Sequence, residues 1–124
     1  MAAIYRILLN EDLPSDAYLV QRALKSNPGT FELRVCDNRE VFIENLAAFQ
    51  PDIILSDYSI PGFDWSAAFK ICRQYAPGVP FLIVSSSTNP VIIDTCLKAG
   101  VQGFISKENL HQLVPTILNL VAKP

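Results

Sequence analysis

Short apolar runs alternate five times with segments of helical period along the chain. Continuous apolar runs occupy residues 4–9, 52–56, 81–84 and 103–106, whereas apolar and polar residues alternate over 31–35. Continuous runs are typical of central strands that are buried on both faces, and alternation indicates a half-buried edge strand. Strands separated by helical segments form right-handed βαβ units. The pattern therefore predicts an α/β fold, a three-layer (βα)5 arrangement with five parallel strands and helices on both faces.

Turn-forming and capping residues mark the first two helices. The first helix ends at the Asn-Pro-Gly cluster of residues 27–29, because Pro and Gly interrupt helices. At the start of the second helix, residues 37–40 resemble a capping box. In such a box the side chain of Asp37 accepts an early backbone N–H bond and that of Glu40 reaches back. We expect this helix to run to about Phe49.

The last three helices have start and stop signals of their own. Residues 64–75 predict the third helix, and the fourth begins with Pro90 in its first turn and has Gly100 just past its end. In the fifth, apolar residues within 110–121 recur at spacings of three and four and form one stripe that would cover the sheet. Pro115 interrupts this stripe, so we expect a kink or a broken first turn there.

Length and composition indicate one compact domain. The chain has 124 residues, of which 50% are hydrophobic and 18% charged, as in ordinary globular domains. We expect a single domain over residues 1–124 with its core at about 4–122. The net charge of −2, without clusters of Lys and Arg, excludes an electrostatic footprint for nucleic acid or anionic lipid. The first apolar run is too short for a signal peptide or membrane span, so we expect a cytoplasmic protein.

The cysteines carry little functional information. Cys36, Cys72 and Cys96 are widely spaced and show neither a C-x-x-C pattern nor a Cys/His ligand pattern. Each lies among apolar neighbours, where a free cysteine packs as a small hydrophobic residue. We expect three buried, reduced thiols.

Polar side chains follow four of the five predicted strands. Glu11 and Asp12 follow the first strand, Asp57 the third, Ser85 the fourth and Lys107 the fifth. The functional crevice of such sheets lies outside the carboxyl ends of the strands, so these side chains should converge. Two carboxylates about 4 Å apart repel by roughly 4 kcal/mol at an effective dielectric near 20, so the three would share protons or hold a divalent cation. An all-oxygen set favours Mg²⁺ or Mn²⁺ over zinc.

The same strand ends carry a family resemblance. Four segments in order resemble the receiver domain of two-component response regulators, and the resemblance extends over about residues 4–122. The segments are residues 7–12 with Pro14 and Asp16, Asp57 with Pro61 and Gly62, residues 84–86, and residues 103–107.

The resemblance implies a flavodoxin-like fold with strand order 2-1-3-4-5 and a phosphorylation site. It implies that Asp57 accepts a phosphoryl group from a phosphohistidine on a histidine kinase or phosphotransfer protein. Asp12 would bind Mg²⁺ directly, Glu11 mostly through a water, and the backbone carbonyl of Ser59 would complete the protein ligands. Asp57 would share in holding the same Mg²⁺.

The resemblance also assigns a switch. Lys107 and Ser85 would contact the phosphoryl group, drawing Ser85 inward and letting Phe104 turn toward the vacated space. Phosphorylation would thereby change a partner-binding surface around the fourth helix, fifth strand and fifth helix, and the protein would be a kinase substrate rather than an enzyme. Glu108 departs from the family pattern, because a proline usually follows the lysine. Since a cis bond before a residue other than proline costs about 3 kcal/mol, we predict a trans bond between Lys107 and Glu108.

Other interpretations remain open from the sequence. A degenerate receiver would keep the fold and bind partners without phosphorylation. A flavin-binding electron carrier of the same topology would need a phosphate loop after the first strand, where this chain is acidic. An aspartyl phosphatase usually has a second aspartate two residues after the nucleophile, where this chain has Ser59. Asp57 alone could simply cap the following turn, and another hydroxyl of the run at residues 85–88 could take the place of Ser85.

Overall fold

A parallel sheet of five strands forms the centre of the molecule. The computed structural model describes residues 4–87 and 89–121, and the sheet order is β2-β1-β3-β4-β5, as expected. Each predicted strand boundary lies within one residue of the observed one. The strands are β1 (Tyr5–Asn10), β2 (Phe31–Cys36), β3 (Ile53–Ser56), β4 (Phe81–Ser85) and β5 (Gly103–Ser106).

The burial of the strands follows their sequence pattern. Every residue of β3 and β4 is buried, whereas β2 lies at an edge of the sheet and leaves Val35 41% exposed. Successive side chains of a strand point to opposite faces, so β1 places Leu8 in one core cluster and Ile7 and Leu9 in the other. The sheet therefore separates two hydrophobic cores.

Five helices cover these two faces. Residues of α2, α3 and α4 contribute to the core that contains Leu8, and residues of α1 and α5 contribute to the other. Helices, sheet and helices are therefore the three layers that the sequence predicts, with one core between each pair of layers. The helices are α1 (Pro14–Leu24), α2 (Arg39–Ala48), α3 (Trp65–Tyr75), α4 (Pro90–Ala99) and α5 (Leu113–Val121).

Local signals account for most helix ends. The Asp64 side chain caps α3 by accepting a bond from the Ala67 N–H at 3.0 Å. Gly100 ends α4 with a φ of 111°, in the left-handed region that glycine adopts without steric cost.

Among residues 4–87 and 89–121, no helix has the length and apolar character needed to cross a bilayer.

The predicted capping box of α2 was wrong by one residue. The cap is Asn38, whose extended backbone lets its Oδ1 accept a bond from the Val41 N–H at 3.0 Å. Asp37 instead accepts a bond from the Asn38 amide at 3.1 Å. With Asn38 as the cap, Glu40 occupies the second helical position, one residue before the position from which a capping-box side chain reaches back.

The segment between β5 and α5 has the broken turn expected from Pro115. A 3₁₀ helix spans Lys107–Gln112, and α5 begins only at Leu113. Pro115 is therefore the third residue of α5, where an N–H has no partner inside the helix and its loss costs little. No peptide bond between described residues is cis, so the bond from Lys107 to Glu108 is trans, as predicted.

Candidate functional site

Three carboxylates meet where β1 and β3 end. The two strands are neighbours and pair Asn10 with Ser56, so the residues that directly follow them lie side by side. Glu11, Asp12 and Asp57 each offer an oxygen, and these atoms lie within 4.8 Å of one another. The structure thus brings together the three acidic residues that the strand ends predicted.

The Lys107 ammonium lies against this cluster. Its Nζ donates to Glu11 Oε1 at 2.7 Å, to Asp16 Oδ2 at 2.8 Å and to Asp57 Oδ1 at 3.3 Å. The side chain of Lys107 is 10% exposed and that of Glu11 1% exposed. One ammonium therefore serves three carboxylates in a site that is largely shielded from water.

Burial shifts the protonation equilibria of the site. Loss of hydration raises the pKa of Glu11 and of Asp57 above their ordinary values, although contact with Lys107 works in the opposite direction for both. Burial by itself would lower the pKa of Lys107, but the hydrogen bonds that its ammonium donates to Asp16 and Glu11 outweigh this effect, and the pKa is raised above its ordinary value. Lys107 therefore stays charged at neutral pH, but its single positive charge does not balance the negative charges of the three carboxylates that it contacts.

A buried polar network holds the backbone of Asp57. The Asp57 N–H donates to the Asn10 carbonyl at 2.9 Å, and the Ser56 hydroxyl donates to the Asp57 carbonyl at 2.9 Å. The Asn10 amide reaches the Ser56 hydroxyl at 3.4 Å and accepts a long bond from Cys36 Sγ. Asn10 and Ser56 were not predicted as site residues; the available signal was a polar residue at the end of an apolar run.

The Asp57 carboxylate itself is oriented by the following residue. Its Oδ1 accepts a bond from the Tyr58 N–H at 2.9 Å, and the Tyr58 ring stacks on Trp65 with 6.2 Å between ring centroids. This oxygen therefore contacts both the Tyr58 backbone and Lys107, and the turn after β3 presents the carboxylate in a defined direction.

The remaining predicted residues lie at the end of β4, shortly after β3 and on β5. Ser85 is buried at the end of β4, and its hydroxyl accepts a bond from the Ser87 N–H at 3.1 Å. Ser59 is exposed two residues after Asp57, and Phe104 is half-buried on β5 beside the core that contains Leu8. The structure does not test the roles assigned to these three residues, which stay predictions.

Asp16 is the site residue that the strand-end reasoning missed. It lies in the first turn of α1 rather than directly after a strand. The helix starts at Pro14, two residues after Asp12, and its first turn places the Asp16 carboxylate 2.8 Å from Lys107 Nζ. Its signals in the sequence were its spacing four residues after Asp12 and its place in the first segment of the family resemblance.

Comparisons with known proteins agree with this geometry. The family model "Response regulator receiver domain" matches residues 7–118. The two-component response regulator ORR41 of Oryza sativa subsp. japonica is 31% identical over 115 residues, which cover 91% of this chain and 91% of that protein. The "Probable transcriptional regulatory protein NarL" of Mycobacterium tuberculosis is 27% identical, covering 92% of this chain and 53% of that protein. The chain thus spans about half the length of the first curated relatives it matches.

Solved structures show the same architecture. The signal receiver domain of NarL from Mycobacterium tuberculosis matches with a TM-score of 0.82 at 26% identity, covering 98% of this chain and 99% of that one. The Mn²⁺-bound form of response regulator Rcp1 matches with a TM-score of 0.72 at 23% identity, covering 93% and 92%. At that identity the second match supports the fold alone.

Proposed function

This chain belongs to the response regulator receiver domain family, and on that premise we propose that it is a Mg²⁺-dependent phosphoacceptor. In this proposal Asp57 takes a phosphoryl group from a phosphohistidine on a histidine kinase or phosphotransfer protein. The observation that carries the proposal is the convergence of Glu11, Asp12 and Asp57 on one point, with the Lys107 ammonium beside them.

The residues present fit a hard divalent cation. The cluster offers only carboxylate oxygens, which Mg²⁺ prefers, and burial leaves at least two of them with raised pKa values. Asp12 and Asp57 would hold the cation, Glu11 would do so mostly through water, and the carbonyl of Ser59 would add the last protein ligand. When bound, Mg²⁺ supplies positive charge that neutralises the phosphoryl oxygens.

The chain's own residues then have defined tasks. An oxygen of the Asp57 carboxylate forms the new bond to phosphorus, the bond from phosphorus to the donor imidazole breaks, and its electron pair stays on the imidazole nitrogen. Lys107 donates to the transferred phosphoryl oxygens, and the Ser85 hydroxyl turns toward them. In this scheme the chain is a single domain and a substrate of the kinase, not an enzyme.

Phosphorylation would act on a partner through a population shift. A phosphoryl group adds about −1.5 to −2 charge, and Lys107 and Ser85 would bind it better in one of two conformations. Movement of Ser85 opens space beside β5, into which Phe104 turns. The surface formed by α4, β5 and α5 changes as a result, and this change is what an effector senses.

The test is incubation with phosphoramidate and Mg²⁺ followed by intact mass measurement. We expect the parent to gain the mass of one phosphoryl group, and Asp57→Asn or an excess of chelator to abolish the gain. Asp94→Asn serves as a matched control, because it makes the same change at an exposed aspartate of α4 that pairs with Lys98. A parent that gains no phosphate, or an Asp57→Asn variant that gains as much as the parent, would contradict the proposal.

A further inference from the structure

The Lys107 ammonium has all of its donors engaged in the unphosphorylated protein. An ammonium carries three N–H donors, and here they meet Glu11 at 2.7 Å, Asp16 at 2.8 Å and Asp57 at 3.3 Å. The two shorter contacts go to carboxylates that do not accept the phosphoryl group. The contact with Asp57 is the longest and therefore the weakest of the three.

Asp16 differs from the other carboxylates around Lys107. It lies outside the set of oxygens that could share a cation, which comprises Glu11, Asp12 and Asp57 among the described residues. A cation bound there leaves the Asp16 charge in place. The Asp16 side chain is 25% exposed and is held by the first turn of α1. Asp16 thus draws the ammonium toward the first turn of α1.

This arrangement has a consequence for phosphoryl transfer. When a phosphoryl group reaches Asp57, its oxygens compete for the ammonium that Glu11 and Asp16 already hold. Lys107 must lean further toward Asp57, and its short bond to Asp16 must lengthen.

We infer that Asp16 is a positioning residue that holds Lys107 in a resting position and thereby restrains phosphorylation of Asp57. Asp16 acts only through Lys107 and touches none of the reacting atoms. The inference rests on the proposed phosphorylation of Asp57 and adds to it a restraint contributed by α1. Removing the charge of Asp16 should release the ammonium toward the phosphoryl group.

The test compares rates of phosphorylation by phosphoramidate in Mg²⁺, followed by intact mass. Asp16→Asn keeps the shape and one oxygen acceptor but removes the charge, and we expect it to raise the rate constant by about three- to tenfold, since a tenfold change corresponds to 1.4 kcal/mol. Asp16→Glu restores a carboxylate and should return the rate toward that of the parent. Asp94→Asn removes the same charge from an exposed pair with Lys98 and should leave the rate unchanged.

A purely structural role of Asp16 gives the opposite result. In that case Asp16→Asn lowers the melting temperature and lowers or preserves the rate, and either rate overturns the inference. Equal acceleration by Asp16→Glu, or by Asp94→Asn, overturns it as well, because the charge at this position is then not responsible. If Asp16→Asn does not fold, Asp16→Ser replaces it, since serine suits a first helical turn.

The two proposals fail in different ways. A parent that takes no phosphate on Asp57 contradicts the proposed function, and the inference falls with it. A parent that is phosphorylated, together with a folded Asp16→Asn variant that reacts no faster, contradicts the inference alone.

Discussion

Replacing Lys107 with methionine removes the only cation that contacts the acidic cluster in the described part of the chain. Methionine keeps most of the length and apolar surface of the lysine stem, so the change isolates the charge. Glu11, Asp16 and Asp57 lose a donor at 2.7, 2.8 and 3.3 Å respectively. Without added divalent cation, we expect the folded state to lose stability at pH 7.

The size of the loss follows from burial. Removing one partner of a buried ion pair costs about 3–5 kcal/mol, because a charge is left uncompensated. Here Glu11 is 1% exposed, but Asp16 is 25% exposed and water screens part of its interaction. We therefore expect a loss of about 3 kcal/mol, which is a large share of a typical domain stability of about 5–15 kcal/mol.

Lys98 supplies the matched control. It pairs with Asp94 at 3.0 Å on the surface of α4, with side-chain exposures of 77% and 61%. Such exposed pairs four residues apart contribute about 0.3–0.5 kcal/mol. Lys98→Met should therefore unfold at nearly the same urea concentration as the parent. Lys107→Met should unfold at a midpoint about 1–3 M lower, because small domains lose about 1–3 kcal/mol of stability per M urea.

The pH dependence gives a second check with a definite sign. The pKa values of Glu11 and Asp57 are raised in the folded parent although Lys107 acts to lower them, so removing Lys107 should raise them further. A raised carboxyl pKa stabilises the folded state fully below the unfolded pKa, and this contribution is lost as pH rises through the folded pKa. Lys107→Met should therefore approach the parent as pH falls from 7 toward 4. Equal losses for the two lysine variants at pH 7, or a gap that widens at pH 4, would refute the reasoning.

Three further predictions concern single positions. Asp57→Asn removes the negative charge of a carboxyl group whose pKa is raised mainly by burial. Without divalent cation at pH 7, the melting temperature of this variant should exceed the parent's by a few degrees, which corresponds to about 1 kcal/mol. Added Mg²⁺ should stabilise the parent more than this variant, and the opposite order would count against the metal site. Burial raises the pKa of Cys36 from 9.0 to about 12, so the contribution of this thiol to folding stability is complete below pH 9 and is lost as pH rises toward 12. In urea titrations the parent should lose about 1 kcal/mol more stability than Cys36→Ser between pH 9 and 10. The same loss of stability in both proteins would contradict this. Gly100→Ala places a side chain at a φ of +111° and should lower the stability by about 1 kcal/mol in the same assay. Gly78→Ala should be nearly neutral, because Gly78 has open space around it and no positive φ. Equal effects of the two variants would show that the left-handed conformation of Gly100 is not the cause of the loss.

The strands and most helix ends could be predicted because their signals are local. The continuous apolar runs correctly indicated the buried strands β3 and β4, and the alternating run indicated the edge strand β2. Glycine and proline restrict helices through their own backbone chemistry, so Gly100 and Pro115 marked a helix end and a helix start without reference to the rest of the fold. The cap of α2 was missed because Asp37 and Asn38 are both good caps, and only the folded backbone shows that Asn38 takes the extended conformation of the cap residue.

The acidic cluster was also predictable, because parallel strands end at one edge of the sheet and carry the residues that follow them to the same place. This prediction placed Glu11, Asp12, Asp57 and Lys107 together, and the observed distances agree. It required only the strand directions. The roles of these residues in phosphorylation remain predictions.

Other features depended on the packed structure. Asp16 contacts Lys107 across a separation of 91 residues, and the direction in which α1 leaves β1 decides that contact. Asn10 is fully buried at the end of β1, where side chains from two different strands, Ser56 and Cys36, complete its hydrogen bonds. Chain periodicity reports which face of an element is apolar, whereas ion pairs and hydrogen bonds depend on distances of a few ångströms between elements, and only packing sets those distances.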